Sequence, residues 1–277
     1  MNNERIRMNQ VAEIDRAEAN ALIAELGGGT QEETITVPFL KINYDQEDKQ
    51  GRDVKRGTIY LEGQSEAVYA PKVNIHVMAQ YYQYRQSDPS TYKIVNKTVL
   101  MEDMRKGEPR DMLGGIRCGR PASKTMAELS QEDQDMWRKK VKATRILRGV
   151  CSYEGITADG DAKSVVNEPF QLYITGSSFL EFDKVLNSLP YGKRYQDFWV
   201  EFSTEKKDKY FLSKFKTDFQ KPADLTKDVV ETMKLFVAMA KQENGRIEAG
   251  YRSASIEGTV ESKAYDAISG DLDQDLA

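Results

Sequence analysis

Glu168-Pro-Phe-Gln-Leu-Tyr-Ile174, Ser178-Phe-Leu-Glu181 and Asp197-Phe-Trp-Val-Glu-Phe-Ser203 follow one another in a segment whose hydrophobic period changes twice. The first run is aromatic and aliphatic between turn signals, and reads as a strand. Ser178 and Glu181 have the spacing of a capping box. Behind them Phe179, Phe182, Val185, Leu186 and Leu189 recur at helical spacing, predicting a helix to about Leu189 that Pro190-Tyr-Gly-Lys193 ends. Phe198, Val200 and Phe202 then alternate on one face of a strand, and Lys209 to Phe215 reads as its hairpin partner. The order is strand, helix, strand, strand.

Upstream, Val141 to Tyr153 reads as a long strand. Thr34 to Tyr44 is extended and broken at Pro38; Gly57–Glu62, Val68–Tyr84 and Tyr92–Met101 are further strands between turn signals. Ser123 to Trp137 predicts one helix or two, capped by Ser123 or Ser130. Residues 9–26 form an amphipathic helix stopped by Gly27-Gly28-Gly29, and Lys227 to Gln242 another, stopped at Gly245. The class is mainly β with helices (α+β). A helix between a third and a fourth strand, with a basic strand before them, describes the second half of an OB-fold. The expected architecture is therefore an OB-fold-like barrel with an additional strand-rich region and flanking helices. Its parts are an N-terminal helix and hinge (1–33), a nucleic-acid-binding body (34–253) and an acidic tail (254–277).

Composition narrows the chemistry. The 277 residues are 39% hydrophobic and 30% charged, enough apolar content for a real core. No run of 18 apolar residues occurs and no secretory signal opens the chain, so neither membrane span nor export is expected. Cys118 and Cys151 make no disulfide framework, which points to the cytoplasm. The lone histidine, His76, sits in an alternating strand pattern without a nucleophile elbow. Phosphate-binding glycine loops of nucleotide enzymes are missing as well. No enzyme, cofactor or metal site is expected.

Charge is uneven along the chain. Residues 254–277 hold six acids against one base, a net −5, leaving +1 of the total −4 on residues 1–253. Trp137, Arg138, Lys139, Lys140, Lys142, Arg145 and Arg148 form a basic run with no acid. Lys207, Lys209, Tyr210, Lys214 and Lys216 belong to a second run, interleaved with aromatics. Tyr84 and Arg85 close an aromatic-dense segment, and Arg117 and Arg120 flank a glycine-rich loop. Cations for phosphates beside rings for stacked bases are what an unpaired strand requires, at about 1–3 kcal/mol per stacked base. These sixteen residues are the predicted nucleic-acid contacts.

In Trp137–Tyr153, Glu168–Phe215 and the acidic Gly270–Ala277, the chain resembles bacteriophage single-stranded DNA-binding proteins. The resemblance implies coating of single strands in DNA replication, recombination or repair, in the host cytoplasm. It also implies an acidic tail that competes with DNA and recruits polymerase or helicase, with homo-oligomers possible. Two other readings stand beside it. Glu205-Lys206-Lys207, with Asp183 or Asp197, has the acid-x-Lys half of a metal-dependent nuclease. An oligomeric phage assembly protein would use the N-terminal helix and the strands of residues 34–101 as contacts.

Overall fold

A computed structural model of the chain describes residues 36–256, apart from Pro89, Arg105, 107–108, 115–126, 136–139 and Leu225. The expected helix at 9–26, Arg117, Arg120, Trp137, Arg138, Lys139 and the tail beyond 256 lie outside the described residues. Val37 onward belongs to one compact unit.

The strands are β1 (Leu40–Ile42), β2 (Ile59–Leu61), β3 (Val68–Tyr69), β4 (Lys72–Ser87), β5 (Ile94–Lys97), β6 (Val141–Thr157), β7 (Ala162–Thr175), β8 (Phe198–Lys207) and β9 (Tyr210–Pro222). The described helices are α1 (Gln131–Asp135), α2 (Asp183–Ser188) and α3 (Lys227–Ile256). Pairing is antiparallel throughout the main sheet, and its five long strands run β7-β6-β4-β8-β9. β3 continues the β4 edge against the far end of β6, across the break at Ala70-Pro71. β1 and β2 form a separate two-stranded sheet, and Phe39 bridges it to Gln171 of β7.

The α+β class is as the sequence implies, but the sheet is not closed into a barrel. Its ends, β7 and β9, meet through side chains of the segment between β7 and β8. The Ser213 amide donates to Ser178 Oγ (3.0 Å), and the Phe182 ring packs edge-on against Phe215 (5.3 Å). The predicted capping box does not form for the same reason. Ser178 caps nothing because it accepts from β9, and Glu181 is taken by Lys184 and Lys214. Residues 176–182 therefore wind in short i→i+3 turns, and the α-helix begins only at Asp183. By contrast, Ser130 does cap α1, accepting from the Asp133 amide at 3.2 Å.

The main core joins Val73, Ile75 and Val77 of β4, Leu147 and Cys151 of β6, Phe170 and Leu172 of β7, and Val200 and Phe202 of β8, with Leu40 and Ile59 from the small sheet. Burial pushes the Cys151 thiol up to about 12, leaving it protonated and inert. His76 is an ordinary strand residue, donating from Nε2 to the Gln196 carbonyl (2.8 Å), and burial lowers its pKa. On the opposite face, Leu100, Ile146 and Ala240 pack with Tyr81 and Tyr173 beneath α3. β6 is thus covered on both sides from Thr144 to Cys151.

That double burial takes two expected contacts out of solvent. Arg145 and Arg148 are each 1% exposed. Arg145 is ion-paired to Asp183 and donates to Tyr82 Oη (3.2 Å), among the rings of Tyr82, Phe179 and Phe182. Arg148 pairs with Glu243 of α3 at 2.9 Å. A buried cation is tolerable only when paired, and in this structure each arginine faces a carboxylate instead of solvent. Gly245 also fails to stop α3. The helix runs on because Asn244 exchanges hydrogen bonds with the Leu100 backbone (2.6 and 3.2 Å) and Ile247 is buried beyond it.

Two outcomes follow for stability. Arg148→Ala leaves the mostly buried Glu243 carboxylate with Lys97 and Gln83 alone, and should lower unfolding free energy in urea by roughly 1–3 kcal/mol. Burial alone would raise the Glu243 pKa, but Lys97, Arg148 and Gln83 more than offset it, so the folded value lies below the ordinary one. A depressed folded pKa contributes stability that is complete above the ordinary carboxylate range and is lost as pH falls through the folded value. Melting temperatures of the parent and Glu243→Gln should therefore differ at neutral pH and converge on acidification below about 4.

Candidate nucleic-acid interface

Three exposed lysines meet at the β8–β9 hairpin. β8 ends at Lys207 and β9 starts at Tyr210, so the turn is only Asp208-Lys209. Asp208 adopts a positive φ of 43°, which the tight two-residue turn demands and an aspartate tolerates. Lys206, Lys207 and Lys209 are exposed around this turn, and Tyr210 is 45% exposed.

A second loop is held against this hairpin by residues that no sequence pattern flags. The Gly57 carbonyl accepts from Thr204 Oγ1 (2.5 Å), and the Gly57 amide donates to the Asn43 carbonyl (2.8 Å). Asn43 Nδ2 also donates to the Lys55 carbonyl, at 3.1 Å. Gly57 takes φ +80°, and a Cβ there would stand 2.4 Å from the Phe211 ring. These bonds set Arg56 beside Lys206. The result is an open pocket of about 380 Å³ lined by Arg56, Lys206, Asp208, Lys209, Tyr210 and Phe211. Tyr44, 48% exposed, meets Phe211 edge-on at 5.8 Å. Arg56, Lys206 and Lys209 make no ion pair among the described residues, so their charge faces solvent.

The remaining predicted contacts divide. Lys207 is paired with Glu205, and Lys214 with both Glu205 (3.0 Å) and Glu181 (3.3 Å). Those two lysines hold the Glu205 carboxyl down at about 2. Lys216 lies further along β9, exposed in a shallow groove of about 610 Å³ with Trp199, Phe219, Lys221 and Asn74; the carboxylates of that groove, Glu201 and Asp218, pair with Lys72 and Lys221. Lys142 is exposed and Lys140 half-buried on the edge of β6. Tyr84 is half-buried, and the Arg85 guanidinium stacks 4.5 Å over the Tyr173 ring. The structure thus brings Lys207, Lys209 and Tyr210 together, adds Arg56, Tyr44, Lys206 and Phe211 to them, and disperses the rest. Lys55-Arg56 ahead of a glycine marks a basic turn in the sequence, but not its place beside the β8–β9 hairpin.

The acid-x-Lys pattern does not assemble a metal site here. Glu205 is held by lysines, Asp183 by Arg145, and Asp197 accepts from the Arg194 amide (2.9 Å). Among the described residues no three histidine, cysteine or acidic side chains are grouped to hold a metal ion. No described helix is long and apolar enough to cross a membrane.

Gly57→Ala is the sharpest probe of how the rim is built. The change strains a left-handed backbone and displaces Phe211, and should cost about 1–3 kcal/mol of stability in urea. Any oligonucleotide affinity carried by the rim should fall with it. Compared with known protein families, curated proteins and solved structures, the chain matches none.

Proposed function

We propose that this chain binds single-stranded DNA without strong sequence preference, in phage DNA replication, recombination or repair, through an OB-type body. The observation that carries the reading is the cluster of unpaired cations and part-exposed rings at the β8–β9 hairpin. Cations that lack a carboxylate hold counterions, and releasing these to a polyanion drives binding. Tyr44, Tyr210 and Phe211 offer ring surface to bases without reading their edges.

The strand order supports the OB-type assignment. Counting the long strands β4, β6, β7, β8 and β9 as first to fifth, the first lies between the second and the fourth, the third pairs the second, and the fifth pairs the fourth. The short helix falls between the third and fourth. OB-folds are partly open barrels that hold oligonucleotides with the loop between their last two strands and with the second and third strands. That last loop is the Asp208-Lys209 turn. The acidic tail, residues 254–277, completes the reading as a competitor for the basic rim, and as the docking segment for polymerase or helicase.

Replacing Lys206 and Lys209 together by alanine should weaken oligo-dT binding and oligo-dC binding alike. It should also flatten the plot of log affinity against log salt by about 0.7 for each phosphate no longer neutralised. A variant with the parent's slope would show that these lysines touch no phosphate. Oligomers in light scattering together with no shift of oligo-dT in a gel would favour an assembly protein instead.

A further inference from the structure

We propose that the face of β4, β5, β6 and β7 beneath α3 is a second phosphate site for the same single strand, closed in this structure by the Glu243 carboxylate. The inference rests on the single-strand reading above and adds where else the strand runs and what guards that path. Three cations converge there. Lys97 Nζ lies 2.7 Å and Arg148 Nη2 2.9 Å from Glu243, and the Arg85 guanidinium covers Tyr173. Arg148 also lies over the Tyr81 ring, at 5.6 Å. Glu243 is the one carboxylate that ion-pairs with any of them among the described residues.

Buried polar groups are left over around Glu243, donors more than acceptors, with Gln83 Oε1 the unpartnered acceptor beside it. Arg148 is 1% exposed, yet its Nε and Nη1 are buried without a hydrogen-bond partner, and so is Arg85 Nε. Buried N–H groups are nearly always satisfied, so a cluster of orphans marks a site shaped for a richer acceptor. A phosphodiester carries the charge of a carboxylate and adds bridging oxygens. The rings of Tyr81 and Tyr173 stand beside it for bases. Glu243 thus stands where a phosphate would be held.

α3 covers this face with few buried apolar side chains. Over its 30 residues only Phe236, Met239, Ala240 and Ile247 are buried apolar side chains among those described, while Val230 and Val237 are 39% and 49% exposed. Glu243 and Asn244 add polar bonds to Lys97, Arg148, Gln83 and Leu100, and further along Gly250 packs on the Met112 carbonyl, Gly114 packs against Ala254, and Arg110 pairs with Glu248 at 3.7 Å. An element with so little apolar burial opens at low free energy.

Hydrogen exchange on the full chain tests this directly. At low salt, saturating oligo-dT should strip protection from amides of residues 227–256, whereas inorganic phosphate alone should leave them unchanged. Bound oligo-dT with α3 protection unchanged or increased overturns the covered site and leaves the rim reading intact. Deprotection by inorganic phosphate alone makes this a free-anion site and overturns the assignment to polynucleotide. No oligo-dT binding at all overturns both readings. Glu243→Gln should tighten oligo-dT binding by about tenfold, since losing about 1.4 kcal/mol of closure raises the open fraction by that factor. An unchanged or weaker affinity in a variant with the parent's circular dichroism spectrum contradicts the proposal.

Discussion

Arg145 and Arg148 sit three residues apart on one strand and point to opposite faces of the sheet, and both faces are buried. Each guanidinium must therefore find a carboxylate, because an unpaired buried charge costs several kcal/mol. Asp183 answers the first from the segment that spans the seam between β7 and β9. Glu243 answers the second from the middle of α3. The placement of both helical pieces on the sheet thus follows from neutralising one strand. Arg56, Lys206 and Lys209, which lack such partners among the described residues, meet at the β8–β9 rim.

Much of the architecture was legible because it rests on local pattern. Phe198, Val200 and Phe202 alternate, and all three are buried in β8. The Lys209 to Phe215 run is the hairpin partner of that strand, in the register Phe202↔Phe215. Long apolar alternation in Val68–Tyr84 and Val141–Tyr153 marked the two central strands of the sheet. Pro71 interrupts the first, which no periodicity could place to the residue.

What was not legible depends on partners distant in sequence. Trp137 to Arg148 carries six bases and no acid, which reads as a solvated basic face, yet the counterions of Arg145 and Arg148 lie 38 and 95 residues away. Local charge counting has no access to such pairs. The capping box at Ser178 and Glu181 failed likewise, because Ser213 and Lys214 of a later strand claimed both side chains. Gly245 carried a stop signal that tertiary contacts at Asn244 and Ile247 outweighed. The rim loop went unread for the same reason: nothing near Arg56 in sequence announces that Thr204 and Phe211 will hold it against Lys206.

Internal arginines thus hold the fold, while the proposed role of the unpaired rim cations is to meet the ligand. Photo-crosslinking a 5-iodouracil-substituted single strand to the chain, followed by peptide mapping, tests that division most directly. Adducts are expected on Tyr44, Tyr210 and Phe211. Adducts confined to the Trp199 and Phe219 groove, with none on the rim rings, would contradict it.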